Sequence, residues 1–289
     1  MKVLIIGRFH HKNEAGLNYI LQHLGWNFKN GSVNDIRNYD VVYMPNNPIN
    51  TSKYPNKKFI FGPHFSVFPN QKLRRINNVY KNCVYIQPSK WAADVWKKKG
   101  AAELLPIIPF PFPVNTDKFK PIENGKKNKV FIYFKSRNPK ELEFLKAELI
   151  KRNISYIIFK PRIRSYVEND YLQYLQQAKY GIILDAHESQ GFAIEEALSC
   201  NVPLLVWCAQ TMSQEYGSRY EPIPCTSVPY WDDRCGEIFY KQEEFETKFV
   251  EFINKLNVYK PREYILENLS VEKCAENFKH LVTLYSAFD

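Results

Sequence analysis

The stretch Tyr180 to Trp207, YGIILDAHESQGFAIEEALSCNVPLLVW, constrains the fold more than any other part of the 289-residue chain. Two short apolar runs, Tyr180 to Ala186 and Val202 to Trp207, have the length and composition of fully buried parallel strands. Between them Phe192, Ala193, Ala197 and Leu198 recur at helical spacing. Asn201 suits the left-handed position after a helix, and Pro203 stands where a helix must already have ended. The segment therefore reads as strand, loop, helix, strand. A plain crossover does not need the loop His187-Glu188-Ser189-Gln190-Gly191, with one carboxylate before the helix and another, Glu196, inside it.

A helix start leaves backbone N–H groups unpaired, here around Gly191, Phe192 and Ala193, and these are donors for an anion such as a diphosphate. Glycine at that point lets a ligand approach the backbone closely. Glu188 would lie in the loop within reach of sugar hydroxyls, and Glu196 could accept from the two hydroxyls of a ribose, because ionised carboxylates only accept. Two isolated glutamates are equally often solvated helix-face charges. Their strand-loop-helix context argues for a site.

Glu188 and Glu196 enclose seven residues, and E-S-Q-G-F-A-I-E-E-A-L-S-C-N-V-P resembles the E-x7-E signature of retaining glycosyltransferases, family 4 in particular. The resemblance implies that Glu188 lies by the donor sugar, that Glu196 binds the nucleotide ribose, and that Ser189, Gln190, Gly191, Phe192 and Ala193 line the donor site. Asn201 stands where the family usually has Gly, and both suit a left-handed cap.

Hydrophobic residues at 45% and charged residues at 24% describe a globular chain long enough for two modest domains. The start MKVLIIGRFHHK is too short in its apolar part for a signal peptide, and no apolar run approaches a membrane span, so a cytoplasmic location is expected. Six cysteines without C-x-x-C spacing suggest reduced thiols and neither zinc nor a disulfide framework. The net charge of +10 favours anionic partners without choosing among nucleotide diphosphates, nucleic acid and an acidic membrane face.

Upstream, Val3 to Gly7 reads as a strand opening onto a loop from Gly7 to Gly16, followed by a helix carrying Leu17, Ile20, Leu21 and Leu24 on one face. No G-x-G-x-x-G is present. The loop resembles the first loop of family 4 enzymes, which admits acceptor and donor phosphate, so His10, Ala15 and Gly16 are acceptor-side candidates. Asp40 to Met44, Lys58 to Phe61 and Cys83 to Ile86 are further buried-strand runs. His64 follows the second of them, at a carboxyl end where open α/β sheets place ligands, and the resemblance gives it a catalytic role. Ser89 is the expected N-cap of the next helix.

Leu105 to Pro121 carries Pro106, Pro109, Pro111 and Pro113, which do not fit regular sheet or helix, and reads as a hinge. It also looks like the family's interdomain stretch. Beyond it, Lys129 to Phe134 is a strand, Glu141 to Lys151 an amphipathic helix, Ser155 to Phe159 a strand and Asp170 to Ala178 a helix. The family places a basic pair on the donor diphosphate after the first of these strands, so Lys135, Arg137 and Lys140 are candidates. Glu243 to Leu256 and Val271 to Phe288 read as helices, the last resembling the family's terminal helix.

The resemblance thus implies a GT-B architecture, two Rossmann-like doubly wound α/β domains facing a cleft. Residues 1–112 would form an acceptor-side domain on which a C-terminal helix, 265–289, packs back, and 113–264 a nucleotide-sugar domain. The implied activity is transfer of a sugar from a nucleotide sugar to a hydroxyl on a carbohydrate or glycoconjugate acceptor, with retention. No metal is implied, as Asp-x-Asp is absent and backbone with basic side chains can hold the leaving group. A basic first domain would suit a lipid-linked acceptor at an anionic membrane face. Two other readings are a DNA-modifying glycosyltransferase or nucleic-acid-binding protein on this fold, motivated by charge but lacking a binding motif, and a non-catalytic sugar-nucleotide-binding scaffold.

Overall fold

The computed structural model describes residues 1–45, 48–69, 82–123, 125–161 and 168–284. It divides into two compact units, Met1–Pro113 with the segment from Leu269 onward, and Val114–Asn268.

The first unit is built on a parallel sheet. Its strands are β1 (Lys2–Ile5), β2 (Asn27–Asn30), β3 (Val41–Met44), β4 (Lys58–Phe61), β5 (Cys83–Gln87) and β6 (Ile107–Pro109), in the order β2-β1-β3-β4-β5-β6. The middle strands are buried along nearly their whole length, as strands covered on both faces must be, whereas the edge strand β2 is almost entirely exposed. Helix α1 (His11–His23) follows β1, and α2 (Lys90–Lys98) follows β5. Leu4, Val42, Phe59, Phe61, Tyr85 and Trp96 form the core on one face.

In the second unit the strands are β7 (Lys129–Lys135), β8 (Ile157–Phe159), β9 (Ala178–Asp185), β10 (Leu204–Trp207) and β11 (Gly236–Phe239), again all parallel, in the order β11-β10-β9-β7-β8. Helices α3 (Pro139–Lys151), α4 (Glu168–Leu175), α5 (Phe192–Ser199), α6 (Phe245–Asn254) and α7 (Pro261–Leu269) accompany them. The sheet order reverses between β7 and β9, which places the carboxyl ends of those two strands at the crevice where open α/β sheets bind ligands. Their register sets Lys135 directly beside Asp185, and an irregularity between Lys129 and Val130 gives β9 one extra residue, Lys179, at the opposite end. The last helix, α8 (Val271–Leu284), packs on α1 in the first unit and places Phe278 against Trp26, Tyr43 and Phe110.

Several expectations change. The proline-bearing segment is not wholly outside the sheet, since Ile107 to Pro109 forms the edge strand β6, where a missing N–H is tolerated on the unpaired side. Gly16 and Ala15 are not loop residues, because α1 already begins at His11; only His10 remains outside it, as its N-cap. Ser89 does precede α2, but its hydroxyl makes no capping bond. The helix expected from Asp170 to Ala178 stops at Leu175, and Ala178 is already strand. The C-terminal helix ends at Leu284 within the described residues and is separated by Ser270 from α7.

Gly236 opens β11 at φ +139°, and a Cβ there would lie 1.9 Å from the Leu204 carbonyl oxygen of β10. Gly236→Ala is therefore expected to cost roughly 4 kcal/mol of stability, read as a lowered urea midpoint. A midpoint equal to wild type would mean that β11 is not held against β10 in this way.

Candidate functional site

The second unit gathers most of the candidate residues at the carboxyl ends of β7, β9 and β10. Asp185 ends β9 with a side chain 1% exposed, and Lys135 ends β7. The Lys135 ammonium bonds Glu188 Oε1 and lies 3.7 Å from Asp185 Oδ2. Glu188 is fixed from the backbone side too, where its N–H donates to Thr226 O at 3.1 Å. Ser227 holds the loop below it, its Oγ donating to the carbonyls of Asp185 and Ala186 at 2.9 and 3.0 Å. His187 Nδ1 is 3.5 Å from Glu215, and its ring meets Tyr220 edge-on.

The electrostatics follow from this crowding. Burial drives the Asp185 carboxyl well above the usual carboxylate range; Lys135 opposes this and Glu188 adds to it. Burial also pushes Glu188 upward, but Lys135, a hydrogen bond with Asp185 and His187 together bring it below its ordinary value.

Helix α5 starts beside this cluster. Gly191 sits ahead of it at φ +90°, a left-handed conformation that favours glycine, and Glu188 and Pro229 are the nearest groups to where a Cβ would be. Phe192 and Ala193 are half-buried, and their N–H groups belong to the first turn, which has no intrahelical acceptor. The carbonyl of Ala193 is held by the Tyr171 hydroxyl at 2.8 Å. Asn201 takes the left-handed position after the helix at φ +56°, as its sequence context predicts.

Both signature glutamates are withdrawn from solvent: Glu196 is 4% exposed and the Glu188 side chain 18%. They are not solvated helix-face charges. Between them is a residue that the sequence reading passed over. Glu195 is 2% exposed and accepts both of its close hydrogen bonds from the Gln190 amide, at 2.9 and 3.2 Å. Burial raises its carboxyl well above the ordinary range, the Gln190 bond offsets part of this, and Glu196 and Glu188 reinforce it. The available signal was that α5 is apolar nearly all round, so that a glutamate next to Glu196 could not avoid the interior. Gln190, a donor-site candidate, spends its amide on Glu195 and acts as an internal support. Ser189 is half-buried in the loop.

The basic residues after β7 separate into different roles. Arg137 is 2% exposed, and it is not a ligand-facing cation. Its Nε and Nη2 grip Glu141 at 2.9 and 2.6 Å, and Nη1 donates to the carbonyls of Asp185 and Trp207 at 3.2 and 3.1 Å. The guanidinium ties the ends of β9 and β10 to the first turn of α3, which Asn138 caps in a capping box with Glu141. Lys140 is exposed in that same turn. Lys135 is the cation that belongs to the strand-end cluster.

The remaining candidates lie in the first unit. Gly16 is buried against Phe112 and Pro113, where a Cβ would come within 3.0 Å, so close packing explains it. Ala15 is half-buried within α1, and His10 is exposed at its start. His64 is half-buried after β4; its Nδ1 accepts the Ser66 N–H at 2.8 Å, its ring lies edge-on to Trp96, and burial lowers its proton affinity below that of an ordinary histidine. All six cysteines are free thiols. Among the described residues no group of His, Cys, Asp or Glu is placed to hold a metal ion, and no helix is long and apolar enough to cross a membrane.

No protein-family model matches the chain, and no curated protein does. Solved structures match it over nearly its whole length. The catalytic domain of starch synthase IV from Arabidopsis thaliana, bound to ADP and acarbose, has a TM-score of 0.63 at 9% identity, with 98% of this chain and 99% of that one covered. Sucrose-phosphate synthase from Thermosynechococcus elongatus has a TM-score of 0.60 at 9% identity, with both chains covered completely. The apo form of the lipopolysaccharide outer core galactosyltransferase WaaB has a TM-score of 0.55 at 14% identity, with 98% and 99% covered. The fold is thus two parallel-sheet α/β domains with GT-B glycosyltransferases as its structural neighbours.

Proposed function

We propose that this chain is a glycosyltransferase that binds a nucleotide sugar in its second unit and moves the sugar to a hydroxyl acceptor with retention of anomeric configuration. The observation that carries the reading is the meeting of Lys135, Glu188 and the first turn of α5 at the point where the strand order reverses. Open sheets bind phosphorylated ligands there. Phe192 and Ala193 would present their N–H groups to the diphosphate, with Lys135 adding positive charge as the nucleotide departs. Glu188 would face the sugar, and Glu196 the ribose. This chemistry needs no bound metal, because the helix start and the ammonium supply the electrophilic stabilisation. The acceptor is a carbohydrate or glycoconjugate, lipid-linked sugars included.

A thermal-shift panel of UDP-, GDP-, ADP- and CDP-sugars tests the donor. A ligand that binds only the folded state, at about 100 times its Kd, adds about 2.7 kcal/mol of stability and raises the melting temperature. One donor should do so for the wild type. Glu196→Ala is expected to weaken that donor by about 10- to 100-fold, the value of one or two hydrogen bonds to a charged group. No shift with any donor would sink the reading. The net charge of +10 supports a second acceptor class, nucleic acid. Duplex DNA in the same panel would then bind with an affinity that falls steeply with salt.

A further inference from the structure

The site holds two carboxyl groups, Asp185 and Glu188, beside the Lys135 ammonium. Asp185 Oδ1 accepts the N–H of Ala186 at 2.7 Å, while its buried Oδ2 receives no hydrogen bond from any described N–H or O–H donor. Lys135 stands 3.7 Å from that oxygen, beyond hydrogen-bond length, and bonds Glu188 instead. The Asp185 and Glu188 carboxyls face each other. Arg137 and Ser227 reach Asp185 only at its backbone carbonyl. The other titratable groups facing the pair are His187, which favours the charged form of Glu188, and Glu195 of α5, which adds negative charge beside Glu188. Two ionised carboxylates here would crowd two negative charges against the Lys135 ammonium, which burial makes costly. A single proton between them removes one of these charges and gives Oδ2 a bond to make.

We propose that Asp185 is a carboxylic acid at neutral pH that donates its O–H to Glu188, and that it is the positioning residue for the Glu188 carboxylate. The positioning role rests on the donor reading, whereas the shared proton does not. Asparagine at 185 can still donate to Glu188 through its amide; leucine cannot. The electrostatics agree, since burial and Glu188 both favour the protonated form of Asp185.

Infrared spectra of the purified full chain in H₂O and D₂O at neutral pH test the proton directly. The wild type is expected to show protonated-carboxyl carbonyl absorption, isotope-shifted in D₂O, of which Asp185→Asn loses a component that Glu195→Gln keeps. A wild-type minus Asp185→Asn difference without such a component would overturn the proposal. Melting temperature against pH gives a second reading. Because the folded Asp185 holds its proton above the ordinary value of 3.8, the wild type loses that contribution as pH rises from there towards the raised value. Asp185→Asn should therefore melt higher than the wild type by a margin that grows with pH, and a constant margin would count against the shared proton. For positioning, the nucleotide-sugar that shifts the wild type is titrated into both variants. Asp185→Asn should bind within about threefold of wild type and Asp185→Leu at least about tenfold more weakly. Equal loss in both overturns the positioning role. If no nucleotide sugar shifts the wild type, that role falls with the donor reading, and the infrared band alone decides the proton.

Discussion

Replacing Glu188 by glutamine is expected to leave the fold intact and to slow sugar transfer by about 100- to 1000-fold, the range found when one preorganised electrostatic group is removed from a reacting centre. The amide keeps the size of the side chain and part of its hydrogen bonding. It removes the negative charge that holds Lys135 and, in the proposed reaction, faces the sugar as positive charge develops on it. The measurement is turnover with the donor picked out by the thermal-shift panel, with the melting temperature checked alongside. Turnover at the wild-type rate would remove Glu188 from the chemistry. Both carboxyls lie beside Lys135, so Glu188→Gln and Asp185→Asn are expected to be non-additive, as groups sharing one partner are.

Arg137→Met is expected to cost about 3 kcal/mol in urea unfolding. Methionine fills much of the space, but it removes the guanidinium donor from the buried carbonyls of Asp185 and Trp207 and from Glu141. Glu141 is 24% exposed and recovers some hydration, which keeps the figure below that of a fully buried pair. Lys140→Met, three residues along the chain and exposed, should change stability by less than about 0.5 kcal/mol. Similar effects from the two substitutions would mean that the Arg137 network does not hold the strand ends together.

The contrast between these two residues shows how far the sequence could be read. Tyr180 to Trp207 was legible because burial on both faces leaves an unbroken apolar run, and because Asn201 and Pro203 punctuate the helix end by their own backbone preferences. The strand β2, Asn27 to Asn30, was not legible: an exposed edge strand of polar residues owes its conformation to pairing with β1 and leaves no pattern. Likewise β6 hid behind its prolines, which an edge tolerates. In the site, composition and resemblance found Glu188 and Lys135, since each lies where a strand ends. They could not tell that Arg137 points inward and Lys140 outward. That distinction depends on the left-handed turn at Ser136, φ +56°, and on the cap that Asn138 and Glu141 make together. Asp185 was overlooked for a related reason: as the last letter of an apolar run it reads as the polar end of a strand, and only the register with Lys135 reveals its company.

The extra residue in β9 has a further consequence. Lys179 is exposed in an otherwise buried strand and lies at the end of the sheet remote from Lys135, Asp185 and Glu188. The irregularity is confined to that end, and the pairing from Val130 with Tyr180 through Lys135 with Asp185 is regular. An insertion beside Lys179 is therefore expected to disturb the alignment at the site less than one between Tyr180 and Asp185.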